Sequence, residues 1–236
     1  MQTVAEALAN LQRTSSSPLF GKLGNLFGAA GFELALVGGP VRDAFLGRVT
    51  NDLDFTTDAT PDQILAVLKG NVDATWDIGR DFGTIGARIG DTHIEITTYR
   101  AEKYDPVSRK PIVAFGSNLT DDLFRRDFTI NSMALRLPEG VFVDPFNGLQ
   151  DLLDGVIRTP GKPEDSFNDD PLRIMRAARF SAQLGFQIHE ETFSAMKTMA
   201  DRIEIVSAER IQVELSKLVL GTEPREGVEA LVDCGL

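Results

Sequence analysis

The residues of this chain with the clearest chemical potential are Asp52 and Asp54, separated by Leu53 and followed by Phe55. Alternation along a strand turns both carboxylates to one face and Leu53 to the other, and paired hard oxygen ligands are what Mg2+ takes. Upstream, Leu36-Val37-Gly38-Gly39-Pro40-Val41-Arg42-Asp43 reads as the end of a buried strand, a glycine turn and a helix start. The glycine pair lets the backbone turn sharply and bring bare N–H groups against an anion. Pro40 suits the first helical turn, and Arg42 adds a bidentate phosphate donor. A phosphate cradle beside two metal-seeking carboxylates fits a triphosphate. The glycine patterns of a dinucleotide fold or a P-loop are both missing.

A third carboxylate stands in His93-Ile94-Glu95-Ile96-Thr97, where alternation puts Glu95 on the face opposite Ile94 and Ile96, available to a metal. His93 shares that face and is given no catalytic role. Trp76 and Phe82 read as packing residues rather than base-stacking ones. Further along, Arg125-Arg126-Asp127 precedes Asn131, and a helix opened at Asp127 would put both on one face, an acceptor beside an amide. In Asp169-Asp170-Pro171-Leu172-Arg173, acids and proline suit a helix N-terminus. Asp170 and Arg173, three apart, offer an acceptor and a fixed fork of donors that can imitate a complementary base. Arg176 and Arg179 extend that spacing as a cationic stripe facing phosphate or the neighbouring carboxylates, or simply solvent.

Residues 37–43 with 52–54, then 125–134, then 169–180, in that order, resemble the motifs of class II nucleotidyltransferases, the group of tRNA CCA-adding enzymes and bacterial poly(A) polymerases. Ser207-Ala208-Glu209-Arg210-Ile211 through Leu218 resembles the helical motif that follows, so the likeness spans roughly residues 31–220. The resemblance implies an α+β chain: a mixed, polymerase-beta-like nucleotidyltransferase sheet as head, then an all-helical neck. It implies two Mg2+ ions held by Asp52 and Asp54, with Glu95 as the third catalytic acid, for phosphoryl transfer from CTP and ATP to the 3' end of tRNA. It further implies that Gly38, Gly39 and Arg42 hold phosphate, that Asp127 reads the ribose 2'-hydroxyl with Arg126 and Asn131 on the sugar-triphosphate, and that Asp170 and Arg173 bond the base edge. The family commonly carries glutamate at the position of Asp169. Poly(A) addition and a non-catalytic RNA- or nucleotide-binding homologue are the alternatives.

The net charge of -11 argues against a general nucleic-acid binder, although cations gather over 100–136 and 158–179, where a local basic path could run. Cys234 is the single cysteine, so no internal disulfide forms, and two histidines supply no zinc cluster. With no membrane-length apolar run and no signal-peptide pattern over 1–18, the chain reads as cytoplasmic.

The elements that must position these groups divide into N-terminal helices (1–31), a head (32–157) and a neck with the start of a body (158–236). Helices are expected over 4–11 and 19–30, then a strand over 33–37, a helix over 40–46, a strand over 53–56 and a helix over 61–68. Strands over 74–76, 83–89 and 92–98 follow, the last two joined by a Gly90-Asp91 hairpin turn. A mixed sheet with helices on one face is the expectation. Residues 99–118 lack periodicity and read as a long mobile loop. A strand over 141–144 and a helix over 149–153 close the head. Helices over 171–184, 191–200, 208–220 and from 226 make the neck, the last cut short, so the chain reads as a fragment.

Overall fold

The computed structural model describes residues 4–48, 52–103, 112–115 and 118–236. Its contacts divide the chain into two compact units, Met1–Arg125 with Asn131–Phe146, and Arg126–Ile130 with Asn147–Leu236. The expected head-to-neck division at 157/158 lies inside the second unit, and residues 1–31 fall within the first.

The first unit opens with helices α1 (Val4–Ser15) and α2 (Pro18–Ala29), then β1 (Leu34–Val37), α3 (Gly39–Phe45), β2 (Asp52–Thr57), α4 (Pro61–Leu68), β3 (Ala74–Trp76), β4 (Thr84–Ile89) and β5 (Thr92–Thr98). There follow β6 (Arg100–Lys103), β7 (Ile112–Phe115), α5 (Leu119–Phe124), β8 (Ala134–Leu137) and β9 (Val141–Val143). Seven strands form one sheet in the order β3-β4-β5-β2-β1-β8-β9, in which β2 and β5 run parallel and the other pairs antiparallel. The chain can join β2 to β5 in parallel because α4 crosses over between them, whereas β4 and β5 need only the two-residue turn at Gly90, where φ is 59°. Apolar Leu-Ala-Leu-Val buries β1 throughout, as a strand covered on both faces must be.

Residues of even and odd number in β2 divide cleanly between the two faces. Phe55 takes the ring of Phe20 from α2 edge-on at 5.8 Å, which holds the N-terminal helices to that side. The opposite face is not bare, contrary to expectation. Tyr99, with Leu119 and Leu123 of α5, covers it over Ala35, Val37 and Ala134. On this face burial reaches Thr56 of β2 and stops there, leaving Asp52, Asp54, His93 and Glu95 exposed. The expected loop over 99–118 contains instead an antiparallel ribbon of β6 and β7, from Arg100 opposite Phe115 to Lys103 opposite Ile112; residues 104–111 lie outside the described residues. The charged and aperiodic run conceals this ribbon because Arg100-Ala101-Glu102-Lys103 lacks the apolar alternation that marks a strand.

The second unit holds α6 (Gly148–Asp154), β10 (Val156–Ile157), α7 (Pro163–Asp169), α8 (Leu172–Leu184), β11 (Gln187–Ile188), α9 (Glu190–Met199), α10 (Ala208–Val219) and α11 (Pro224–Cys234). Helix α8 is its axis. Leu172, Met175, Ala178 and Ala182 pack against Leu218 of α10 and Leu231 of α11. Close approach of α11 depends on Gly227, where an added Cβ would sit 2.7 Å from the Ala178 carbonyl oxygen and 2.8 Å from the Ala182 Cβ.

Candidate active site

The period-two alternation of β2 does what the spacing requires. Asp52 and Asp54 are exposed on one face while Leu53 and Phe55 are buried on the other. Strand β5 adds its own alternation in register: Asp52 lies opposite His93, and Asp54 opposite Glu95. Neighbouring strands stand about 4.8 Å apart, so Asp54 and Glu95 side chains rise side by side from the sheet. Among the described residues no group of three His, Cys, Asp or Glu side chains is gathered closely enough to enclose a metal. An all-oxygen donor set of this openness still fits a hard divalent ion, which takes one or two carboxylates and completes its shell with phosphate oxygens and water.

The glycine turn follows β1. Gly38 has φ 71° and ψ −136°, a conformation open to glycine, and Pro40 occupies the first turn of α3 as expected. The cradle is narrower than a row of bare amides. Gly38 N–H donates to the Met133 carbonyl at 3.4 Å, and the N–H groups of Val41 and Arg42 both donate to the Gly38 carbonyl at 3.1 Å. Arg42 is anchored as well: Nη1 donates to Asn131 Oδ1 at 2.7 Å and Nε to Asp43 Oδ1 at 3.0 Å. Two residues singled out from separate motifs, Arg42 and Asn131, thus meet, and the guanidinium has its orientation fixed.

Asp127 does not open a helix. A single 3-10 turn begins at Thr129, and Asp127 and Asn131 fall in different compact units. The chain is drawn off a helical path by Thr129, whose N–H donates to the Arg158 carbonyl at 2.8 Å and whose hydroxyl donates to Asp151 at 2.6 Å. Asp127 is buried. Its Oδ1 accepts from the Phe128 N–H at 2.8 Å, and its Oδ2 accepts from Arg176 Nε at 2.9 Å and from Nη2 as well. Arg126, next to it, is half-buried.

Asp170 sits just ahead of α8 rather than within it. Its Oδ1 accepts the Leu172 N–H at 3.2 Å and its Oδ2 pairs with Arg210 at 2.8 Å. Arg173, on the first turn, donates to Ser166 Oγ at 2.8 Å. The cationic stripe resolves into structure rather than solvent: Arg176 reaches Asp127, while Arg179 donates from Nε to Glu214 at 2.5 Å and from Nη1 to Gln183 at 2.6 Å, its guanidinium 3.9 Å from the Phe180 ring centre. Glu214 also faces Arg176 at 3.6 Å. Burial opposes the charge on Arg176, but Asp127 and Glu214 more than offset it and raise its pKa. For Arg179, burial and the like charge of Arg176 prevail and lower it. Two residues of α10 that sequence reasoning did not single out, Arg210 and Glu214, therefore hold this layer together. They stand one helical turn apart, which is the signal that could have found them.

The family model described as "Poly A polymerase head domain" matches residues 34–158, more than half of the chain. The chain belongs to the poly A polymerase head-domain family. A second model, "Probable RNA and SrmB- binding site of polymerase A", matches residues 185–236 of this family member. A CCA-adding enzyme of Ligilactobacillus salivarius is 41% identical over 208 residues, covering 88% of this chain and 50% of the relative. One of Lactococcus lactis subsp. cremoris is 44% identical, covering 86% and 50%. The chain thus spans about half the length of the curated relatives it matches. The crystal structure of the Bacillus stearothermophilus CCA-adding enzyme in complex with CTP superposes with TM-score 0.82 at 33% identity, covering 93% of this chain and 53% of that one. The Thermotoga maritima CCA-adding enzyme complexed with tRNA gives 0.79 at 30% identity, covering 96% and 53%. Family members work with a divalent metal.

Proposed function

We propose that this chain carries out template-independent addition of CMP and AMP to the 3' end of tRNA, releasing pyrophosphate. Asp52 and Asp54 would hold Mg2+, with Glu95 as the third acid beside them. The chemistry supplied by such bound ions is neutralisation of the triphosphate and activation of the acceptor 3'-hydroxyl. Arg42, held by Asn131, and the Gly38-Gly39 turn orient the phosphates. Arg126 adds a cation, and Asp127, fixed by Arg176, accepts the ribose 2'-hydroxyl and so favours NTP over dNTP. Asp170 and Arg173 bond the base edge, selecting C and A, which share an exocyclic amino donor beside a ring acceptor. Arg179 acts through Glu214 rather than by touching the nucleotide. A cytoplasmic setting suits both the substrate and the lone cysteine of the chain.

The observation that carries this reading is the cross-strand row of Asp54 and Glu95 beside Asp52, on the face of the sheet that packing leaves open. The CCA-adding names of the similar proteins support tRNA as acceptor over poly(A) addition. Labelled CTP, ATP, GTP and UTP offered with a tRNA lacking its CCA end test it. Incorporation of CTP, then ATP, supports the proposal; incorporation of ATP alone supports poly(A) addition, and Mg-nucleotide binding without extension of any RNA supports the non-catalytic homologue.

A further inference from the structure

On the open face of the sheet, residues directly opposite one another form two rows. One runs Asp54, Glu95, Gly86, Trp76 across β2, β5, β4 and β3; the next runs Asp52, His93, Arg88, Ala74. The first row is interrupted at Gly86 for a steric reason. A Cβ on Gly86 would stand 2.0 Å from Trp76 Nε1 and 2.2 Å from Cε2, so the indole lies over the glycine, on the carboxylate side of the sheet. His93 adds a second ring, its centre 5.8 Å from that of Trp76 with 52° between the planes. Trp76 is half-buried, and His93 and Arg88 are exposed.

The arrangement differs from ordinary core packing. The large core aromatics Phe45 and Phe55 are fully buried, whereas Trp76 lies on the wet face that also carries the carboxylates. Strand spacing puts the indole roughly 5 to 10 Å from Glu95 and Asp54, a gap comparable to the reach from a base to the 3'-hydroxyl of its own ribose. An aromatic plane with a neighbouring cation is the recurrent means of holding single-stranded RNA.

We propose that Trp76, seated on Gly86 and edged by His93, is a stacking platform for the terminal base of the RNA acceptor, with Arg88 beside it to meet the backbone phosphate. This rests on the transferase reading of the adjacent carboxylates. The platform holds the nucleophile's own nucleotide, leaving the incoming base to Asp170 and Arg173.

Trp76 is the single tryptophan of the chain, so its emission reports this site alone. A short oligoribonucleotide ending in CC, labelled at its 5' end, is titrated into the chain while anisotropy and tryptophan emission are both followed. Emission should fall with the same midpoint as the anisotropy rises. Trp76→Ala should raise the Kd and KM for RNA roughly tenfold, as loss of one stacked base does, and move the KM for CTP less than twofold. Trp76→Phe should restore most of the RNA affinity. Gly86→Ala, which keeps the indole but displaces it, should weaken RNA binding as Trp76→Ala does. RNA binding without an emission change, an unaltered RNA Kd in Trp76→Ala, quenching by CTP alone, or no RNA binding at all would each overturn the platform. If RNA quenches emission but no nucleotide is ever incorporated, the transferase reading falls and the platform stands.

Discussion

Glu214→Gln is the sharpest test of how the ion-paired layer of the second unit is held. Glu214 is 4% exposed and Arg179 7% exposed, so their 2.5 Å contact is a buried ion pair. Taking the charge from one partner of such a pair costs about 3 to 5 kcal/mol, because the other charge stays buried without compensation. The lower figure applies here. Arg179 keeps its bond to Gln183 and its place over Phe180, and the Glu214 contact to Arg176 adds little, since that side chain is 32% exposed and screened by water. A loss of about 3 kcal/mol lowers Tm by about 6 to 12 °C in a chain of this size. Scanning calorimetry of both proteins measures it. Replacing the pair together, Glu214→Leu with Arg179→Met, should be milder than Glu214→Gln alone, because neither charge is then stranded. A Tm within 2 °C of wild type for Glu214→Gln, or a double variant worse than the single, would show that no buried charge is stranded.

Tyr99 donates its hydroxyl to Glu33 at 3.0 Å, and burial, then the Glu33 charge, push its pKa well above the ordinary value. A raised folded pKa means stability that is intact below the unfolded value near 10 and lost as pH rises past it, at about 1.4 kcal/mol per pH unit. Between pH 10 and 11, urea midpoints should fall further for wild type than for Tyr99→Phe; parallel losses would contradict the assignment. Gly227→Ala should destabilise by about 1 to 3 kcal/mol, since the new methyl meets the Ala178 carbonyl. Gly21→Ala, at the end of the first turn of α2 with nothing within 4 Å of the added Cβ, should stabilise by about 0.5 to 1 kcal/mol, and thermal melts of the two variants should move in opposite directions.

What the sequence made legible follows from periodicity. The strands over 74–76 and 92–98 and the helix over 61–68 have the bounds their alternation, turns and Pro61 indicate. The faces of Asp52, Leu53 and Asp54 follow from the same period of two. Register is another matter: nothing local tells that Asp54 will sit opposite Glu95, because β2 and β5 pair in parallel across an intervening helix and two strands. Strand β8 is only four residues long and begins where a motif ends, and α5 and α7 are too short for a helical period to stand out. Glu214 escaped notice because an acid in an amphipathic helix reads as solvated, and only the packing of α10 on α8 buries it. The shared face of Asp127 and Asn131 depended on a helix opening at Asp127, and the pull of Arg158 and Asp151 on Thr129 that prevents it is tertiary. Trp76 read as packing because its relation to the carboxylates exists only across four strands.

Metal-dependent nucleotidyl transfer is proposed to rest on the exposed carboxylates of β2. Asp54→Asn preserves the shape of the side chain while removing its charge, and Asp54 is exposed, so the fold should survive, as an unchanged Tm would verify. The direct measurement is the rate of labelled CMP transfer to tRNA lacking its CCA end, with Mg2+ and with chelator, for wild type and Asp54→Asn. Wild type should transfer CMP only with Mg2+, and the variant should lose about 10³-fold or more, the scale of removing a principal electrostatic contributor to the transition state. Transfer by Asp54→Asn within tenfold of wild type, or transfer by wild type that persists in chelator, would contradict it.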